Sequence, residues 1–202
     1  MKLNIKEHNE VTILNLLRQS QLSLTDLMYR TKMSRLTIKK HLESLANKSL
    51  IRDDGYGEST GGRKPILYKI NENMCYAMGV YFEIPSIHIL MVNLEGVPVL
   101  STSFTINEMD DPETIINELI LNNKTALSEL RIDTERLLGI NLALPGFFKA
   151  DEGVSLAIPR LPKWTNVPLA SMLKKVFNTR VSLISDSVAM ALGEKRYGLL
   201  KR

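Results

Sequence analysis

The chain has one cysteine, Cys75, among 202 residues, and three histidines, His8, His41 and His88, far apart in sequence. A single thiol closes no internal disulfide, and so few scattered ligands assemble neither a zinc cluster nor a secreted disulfide framework. No metal site is therefore expected; no cofactor and no catalytic residue are expected either. Aromatic residues make up only 6%, with one tryptophan, Trp164. No apolar run approaches the roughly 18 residues that span a bilayer. The opening Met1-Lys2-Leu3-Asn4-Ile5-Lys6-Glu7-His8 holds no hydrophobic core of a secretion signal. Internal repeats and low-complexity tracts are missing too. What remains is the profile of a cytoplasmic protein with no membrane partner. Its apolar content of 44% supports one large core or two modest ones.

Charge is present but unevenly placed. The formal net charge is +4, yet residues 1–70 hold 13 Lys and Arg against 7 Asp and Glu, a net of +6. Residues 71–202 are left with −2. A basic front and a slightly acidic rear point to polyanion binding by the front alone.

The front reads as three helices and a hairpin. Over 7–18, Val11, Ile13, Leu14 and Leu17 make a helical stripe. Ser23 caps a short second helix with Leu24, Leu27 and Met28 inward. Ser34 caps a third helix over 35–47, in which Ile38, Leu42 and Leu45 keep core spacing. Arg35, Thr37, Lys39, Lys40 and Ser44 are left for solvent. In a helix-turn-helix, Arg35 and Thr37 lie where base edges are met, while Lys39 and Lys40 reach phosphate. The same pattern fits the solvated face of a surface helix, and the next segment favours DNA. Ser59-Thr60-Gly61-Gly62-Arg63-Lys64-Pro65 sits between apolar runs at Leu50-Ile51 and Ile66-Leu67-Tyr68. That context predicts a hairpin wing whose paired glycines keep the backbone thin. Arg63 and Lys64 then offer cations to the negative potential of a narrow minor groove. The expected DNA contacts are Ser34, Arg35, Thr37, Lys39, Lys40, Gly62, Arg63 and Lys64.

The rear changes texture at about Tyr76. Residues 78–82, 87–92 and 97–100 form a strand meander turning at Ile84-Pro85 and Glu95-Gly96. Asp111-Pro112-Glu113 opens a helix to about residue 130, with proline suited to its first turn. A buried-type strand over 139–144 ends at Pro145-Gly146, followed by a helix over 167–177, a strand over 181–184 and a helix over 187–197. The predicted class is α+β, a winged helix-turn-helix over 1–70 followed over 74–202 by one α/β lobe with a mixed sheet.

Four stretches give the chain a likeness. They are 34–51, Gly61-Gly62-Arg63-Lys64-Pro65, 138–146 and 161–193. The last contains Leu161-Pro162-Lys163-Trp164-Thr165-Asn166-Val167-Pro168-Leu169 and Ser185-Asp186-Ser187-Val188-Ala189-Met190-Ala191-Leu192-Gly193-Glu194. Together they resemble the ROK family of repressors and sugar kinases, in particular its xylose-repressor and N-acetylglucosamine-repressor type. The resemblance implies that the rear is the N-terminal lobe of an actin-like, hexokinase-like fold, without the C-terminal lobe. It further implies that Asp186 stands where the family's kinases hold a general base and its repressors a sugar-binding carboxylate. Pro145, Gly146, Ser185 and Asp186 are thus the expected sugar contacts. Ser185 or Asp186 also suits a plain helix cap.

Three departures from the family pattern bear on function. Tyr81-Phe82-Glu83-Ile84-Pro85 stands where the kinases carry an Asp-x-Gly-Gly-Thr phosphate loop, and a glutamate there repels phosphate. Ser185 replaces an asparagine, losing one of the amide's two hydrogen-bonding functions. The second lobe, with its zinc site and most of the dimer interface, has no counterpart in the chain. The expected function is a transcriptional regulator, a repressor of carbohydrate-use genes bound to a duplex operator, with a partial sugar-sensing lobe. It would act as a homodimer or paired with a full-length relative. The alternatives are a truncated partner or constitutive DNA binder without effector response, and, third, a sugar kinase.

Overall fold

The structure, a computed structural model, describes residues 4–58 and 64–198. The chain divides into two compact units, Met1–Met74 and Cys75–Arg202.

The first unit opens with helix α1 (Ile5–Leu17), fixed by a capping box in which the Glu7 amide donates to Asn4 Oδ1 and the Asn4 amide to Glu7 Oε2. Strand β1 (Leu22–Ser23) leads into α2 (Leu24–Thr31), capped by Ser23 and Asp26 in the same reciprocal way. Lys32 takes a left-handed conformation (φ 60°) that ends α2. Ser34 then starts α3 (Arg35–Asn47), accepting from the Thr37 amide at 3.2 Å. Ile13, Leu17, Leu27, Ile38, Leu42 and Leu45 are the buried stripe of the three helices. Each large apolar side chain so buried contributes about 1.5–3 kcal/mol. Val11, expected inside, is exposed, because the stripe runs through Glu10, Ile13 and Leu17 instead.

Strands β2 (Ile51–Tyr56) and β3 (Ile66–Ile70) form the expected hairpin, with Ile51 opposite Ile70 and Asp53 opposite Tyr68. A bulge falls between Asp53 and Tyr56, where Gly55 takes φ +80°. Beyond the paired strands the Gly57 amide donates to Pro65 O at 2.9 Å. β1 adds a third strand, pairing Leu22 with Tyr68.

The second unit is built on a five-stranded mixed sheet of order β10-β7-β4-β5-β6. β4 (Tyr76–Glu83), β5 (Ser86–Asn93) and β6 (Pro98–Thr105) are the antiparallel meander. α4 (Pro112–Glu129) crosses over to β7 (Leu137–Leu144), which runs parallel to β4. A small hairpin of β8 (Phe147–Lys149) and β9 (Val154–Ala157) comes next, absent from the sequence expectation. α5 (Leu169–Phe177), β10 (Val181–Ser185), parallel to β7, and α6 (Asp186–Tyr197) complete the unit. Alternation along β4 sends Tyr76, Met78, Val80 and Phe82 into the core shared with α4 and α5. Trp164 is buried against Phe82 and donates to Ser155 Oγ at 2.9 Å. The opposite sheet face, through Tyr81, His88 and Leu90, is less covered. α6 has no buried residue, and Val188, Met190 and Leu192 remain about half exposed. Among the described residues no helix is long and apolar enough to cross a membrane.

Candidate functional site

α3 is held from beneath and free above. Ile38, His41, Leu42 and Leu45 face the core of the first unit, which leaves Arg35, Leu36, Lys39 and Lys40 exposed. Ser34 and Thr37 are drawn together, their hydroxyls 2.8 Å apart, so both serve the start of the helix as well as its outer face. Lys39 lies 3.7 Å from Glu43 one turn on. This pair is exposed on both sides and holds Lys39 only weakly against competition from a phosphate.

The orientation of α3 is fixed by a polar cluster that sequence reasoning missed. Glu10 of α1 is buried, accepting from Ser44 Oγ at 2.8 Å and Lys48 Nζ at 2.7 Å. Burial pushes its carboxyl pKa up. The bonds from Lys48 and Ser44, with the charges of Lys48 and Lys6, outweigh burial and hold it below the ordinary glutamate value. His41 Nδ1 lies 4.0 Å from the same carboxylate, and Nε2 is 3.3 Å from Asn9 Nδ2. Ser44, expected in solvent, is thus half-buried and committed to Glu10. One signal for this was available: His41 sits three residues after Ile38 on the core stripe. Above the cluster lies a groove of about 370 Å³ lined by Lys6, Leu36, Thr37, Lys40, His41 and Ser44.

Of the expected wing contacts, Lys64 is exposed beside the β2–β3 stem, while Gly62 and Arg63 lie outside the described residues. On the stem, Asp54 lies 3.3 Å from Arg52 and 3.4 Å from Lys69, and Arg52 reaches Glu72 at 3.4 Å.

In the second unit the sheet brings the four expected sugar contacts to one edge. β4, β7 and β10 run parallel, and Ser185 pairs with Leu144, so Pro145-Gly146 and Ser185-Asp186 leave neighbouring strands side by side. The carboxyl ends of parallel strands are where open α/β sheets present ligand-binding loops. Gly146 takes φ +92°, and a Cβ there would run into Ala157 O and Pro159. Asp186 Oδ1 accepts from the Ser187 amide at 2.6 Å and from the Ser187 and Ser185 hydroxyls at 3.1 and 3.4 Å. The carboxylate therefore does cap the start of α6, whereas Ser185 makes no cap bond. Tyr81 belongs to the same edge. Its pKa is raised by burial first, then by the negative charges of Glu83 and Asp186. Beneath α6 a cavity of about 330 Å³ is lined mainly by aliphatic residues, among them Val80, Leu90, Ile184 and Leu192, with Tyr81, His88 and Asn141 also on its wall.

The turn after β4 does not fit a nucleotide phosphate. Glu83 places a carboxylate there, paired with His88 at 3.0 Å, and Pro85 has no amide to donate. Ile84 O is already taken by Arg160. Among the described residues no group of three or more His, Cys, Asp or Glu could hold a metal ion.

The ROK family profile matches residues 87–201, more than half the chain. The chain belongs to the ROK family. A second profile, that of the arsR family of bacterial regulatory proteins, matches residues 9–53, from α1 into β2. The ROK chain is 27% identical over 195 residues to the xylose repressor of Caldicellulosiruptor bescii, covering 96% of this chain and 49% of that protein. It is 25% identical over 198 residues to the xylose repressor of Bacillus subtilis (strain 168), covering 98% and 51%. The chain thus spans about half the length of the curated relatives it matches. Among solved structures, a ROK family transcriptional regulator described as a homologue of the E. coli MLC protein superposes with a TM-score of 0.73 at 22% identity, over 96% of this chain and 49% of that one. A ROK family glucokinase from Streptomyces griseus, in complex with glucose and AMPPNP, gives 0.53 at 19% identity, over 62% and 38%. These likenesses show the fold: a winged helix-turn-helix followed by one actin-like lobe.

Proposed function

We propose that the chain is a sequence-specific DNA-binding repressor of carbohydrate-use genes, with xylose or a related sugar as effector. The observation that carries this reading is the capped, outward-facing basic helix α3 on a winged unit joined to a ROK lobe. The xylose repressors of C. bescii and B. subtilis match along both parts. Arg35 and Thr37 meet base edges, Lys39, Lys40 and Lys64 meet phosphates, and Gly62-Arg63 enters the minor groove. Ser34 fixes the first turn of α3 against the duplex.

Pro145, Gly146, Ser185 and Asp186 receive the sugar. A carboxylate accepts hydrogen bonds from vicinal hydroxyls, and Asp186 keeps its second oxygen for that purpose while the first caps α6. Phosphoryl transfer is not part of this reading, because the Tyr81–Pro85 turn sets a carboxylate and a proline where amides would have to approach phosphate. The protein works in the cytoplasm as a dimer, which matches the two-fold symmetry of operator half-sites.

Fluorescence anisotropy with a duplex from upstream of the chain's own gene, with and without xylose and other pentoses and hexoses, tests this. Release of the duplex by a sugar, lost in Asp186→Asn, is expected. Binding indifferent to every sugar would leave a constitutive DNA binder and contradict the effector half of the reading.

A further inference from the structure

Leu36 is out of place on α3. Its neighbours on the outward face are Arg35, Thr37, Lys39 and Lys40, yet it is an aliphatic side chain left 65% exposed in the first helical turn. Nothing in the winged unit's core calls for it, since Ile38, Leu42 and Leu45 already fill that side. A lone exposed leucine on a neutral surface needs no explanation. This one forms the lip of a groove of about 370 Å³, with Lys6 and Lys40 on its rim and Thr37 in its wall. Two cations beside an aliphatic knob repel an ordinary apolar protein partner and attract a polyanion.

We infer that Leu36 reads the C5-methyl group of a thymine in the major groove, while Lys6 and Lys40 hold the phosphates beside it. The assignment rests on the DNA-binding reading of α3 and extends it from docking to base choice. Thymine is the one base that presents a methyl group in that groove, and an aliphatic side chain is what recognises it. First-turn residues of a reading helix are those that reach base edges. The lip is held in register from below, because Ser44 of the same helix and Lys48 at its C-cap are tied to the buried carboxylate of Glu10. Lys6, on α1, gives the first helix a share in the contact.

The test removes the methyl group and nothing else. The full chain is titrated with a duplex from upstream of its own gene, in which each thymine in turn is replaced by deoxyuridine. One replacement is expected to weaken binding roughly fourfold, the worth of one buried methyl group. Leu36→Ala should bind the unmodified duplex more weakly and lose the penalty at that position, while Leu36→Met keeps it. Because Leu36 is exposed, both variants should match the parent in circular dichroism and melting temperature. Equal affinity for every deoxyuridine duplex, or an unchanged penalty in Leu36→Ala, would overturn the assignment while leaving DNA binding intact. A parent chain that holds no duplex would overturn the DNA-binding reading itself, and this assignment with it.

Discussion

Glu10 shows how one residue ties the first unit together. A buried carboxylate is costly unless it is paired and fully hydrogen-bonded, and Glu10 meets that condition through Ser44 of α3 and Lys48 at the C-cap of α3. Its pKa is held below the ordinary value despite burial, and Asp26 is lowered too, by bonds from the Ser23 hydroxyl and amide. A depressed folded pKa means stability that is present above the unfolded value of roughly 4 and lost as pH falls through the folded one. The first unit should therefore weaken progressively in acid, as followed by urea unfolding across that range. Glu10→Gln should cost about 1–3 kcal/mol at neutral pH, the usual result of disturbing a buried charged hydrogen bond. It should also flatten the acid dependence. Unchanged stability and an unchanged pH profile would show that the cluster does not anchor α3.

Among the elements, α3 carries the most chemistry and was the most legible. Its cap at Ser34 and its Ile38, Leu42, Leu45 spacing are local signals, and the helix spans the expected residues. Arg35→Ala should change which operator bases are preferred. Lys40→Ala should weaken all duplexes alike and reduce the slope of log affinity against log salt by about 0.9, one phosphate contact. A change in sequence preference in Lys40→Ala would reverse the assigned roles. What stayed hidden depends on residues distant in sequence. β1 is only two residues long and exists because Leu22 and Ser23 pair with Tyr68 and Leu67. The burial of Glu10 gave no local sign, because its partners Ser44 and Lys48 lie more than thirty residues on, in α3 and at its C-cap. Val11 was placed inward because a stripe one residue off has nearly the same apolar content. The β8–β9 hairpin escaped because Pro145-Gly146 marks a turn but carries no sign of the two short strands beyond it.

For the whole molecule, the chain divides into units at Met74 and Cys75. The mixed sheet arises from a meander and two later strands in β7 and β10, both parallel to the meander's first strand or to each other. The likeness to the ROK family lay in motifs such as 161–169 and 185–194, which periodicity alone does not yield. The same sheet places Pro145-Gly146 beside Ser185-Asp186, an adjacency that only strand pairing reveals. We propose that the basic first unit makes this chain a sequence-specific DNA binder. The most direct test is anisotropy titration of the full chain against the duplex upstream of its own gene and a scrambled duplex of equal length and composition, over a range of salt. Affinity for the upstream duplex should exceed that for the scrambled one by about 10³-fold or more, and both should fall steeply with salt. Equal affinity for the two duplexes, or no binding to either, would contradict the claim.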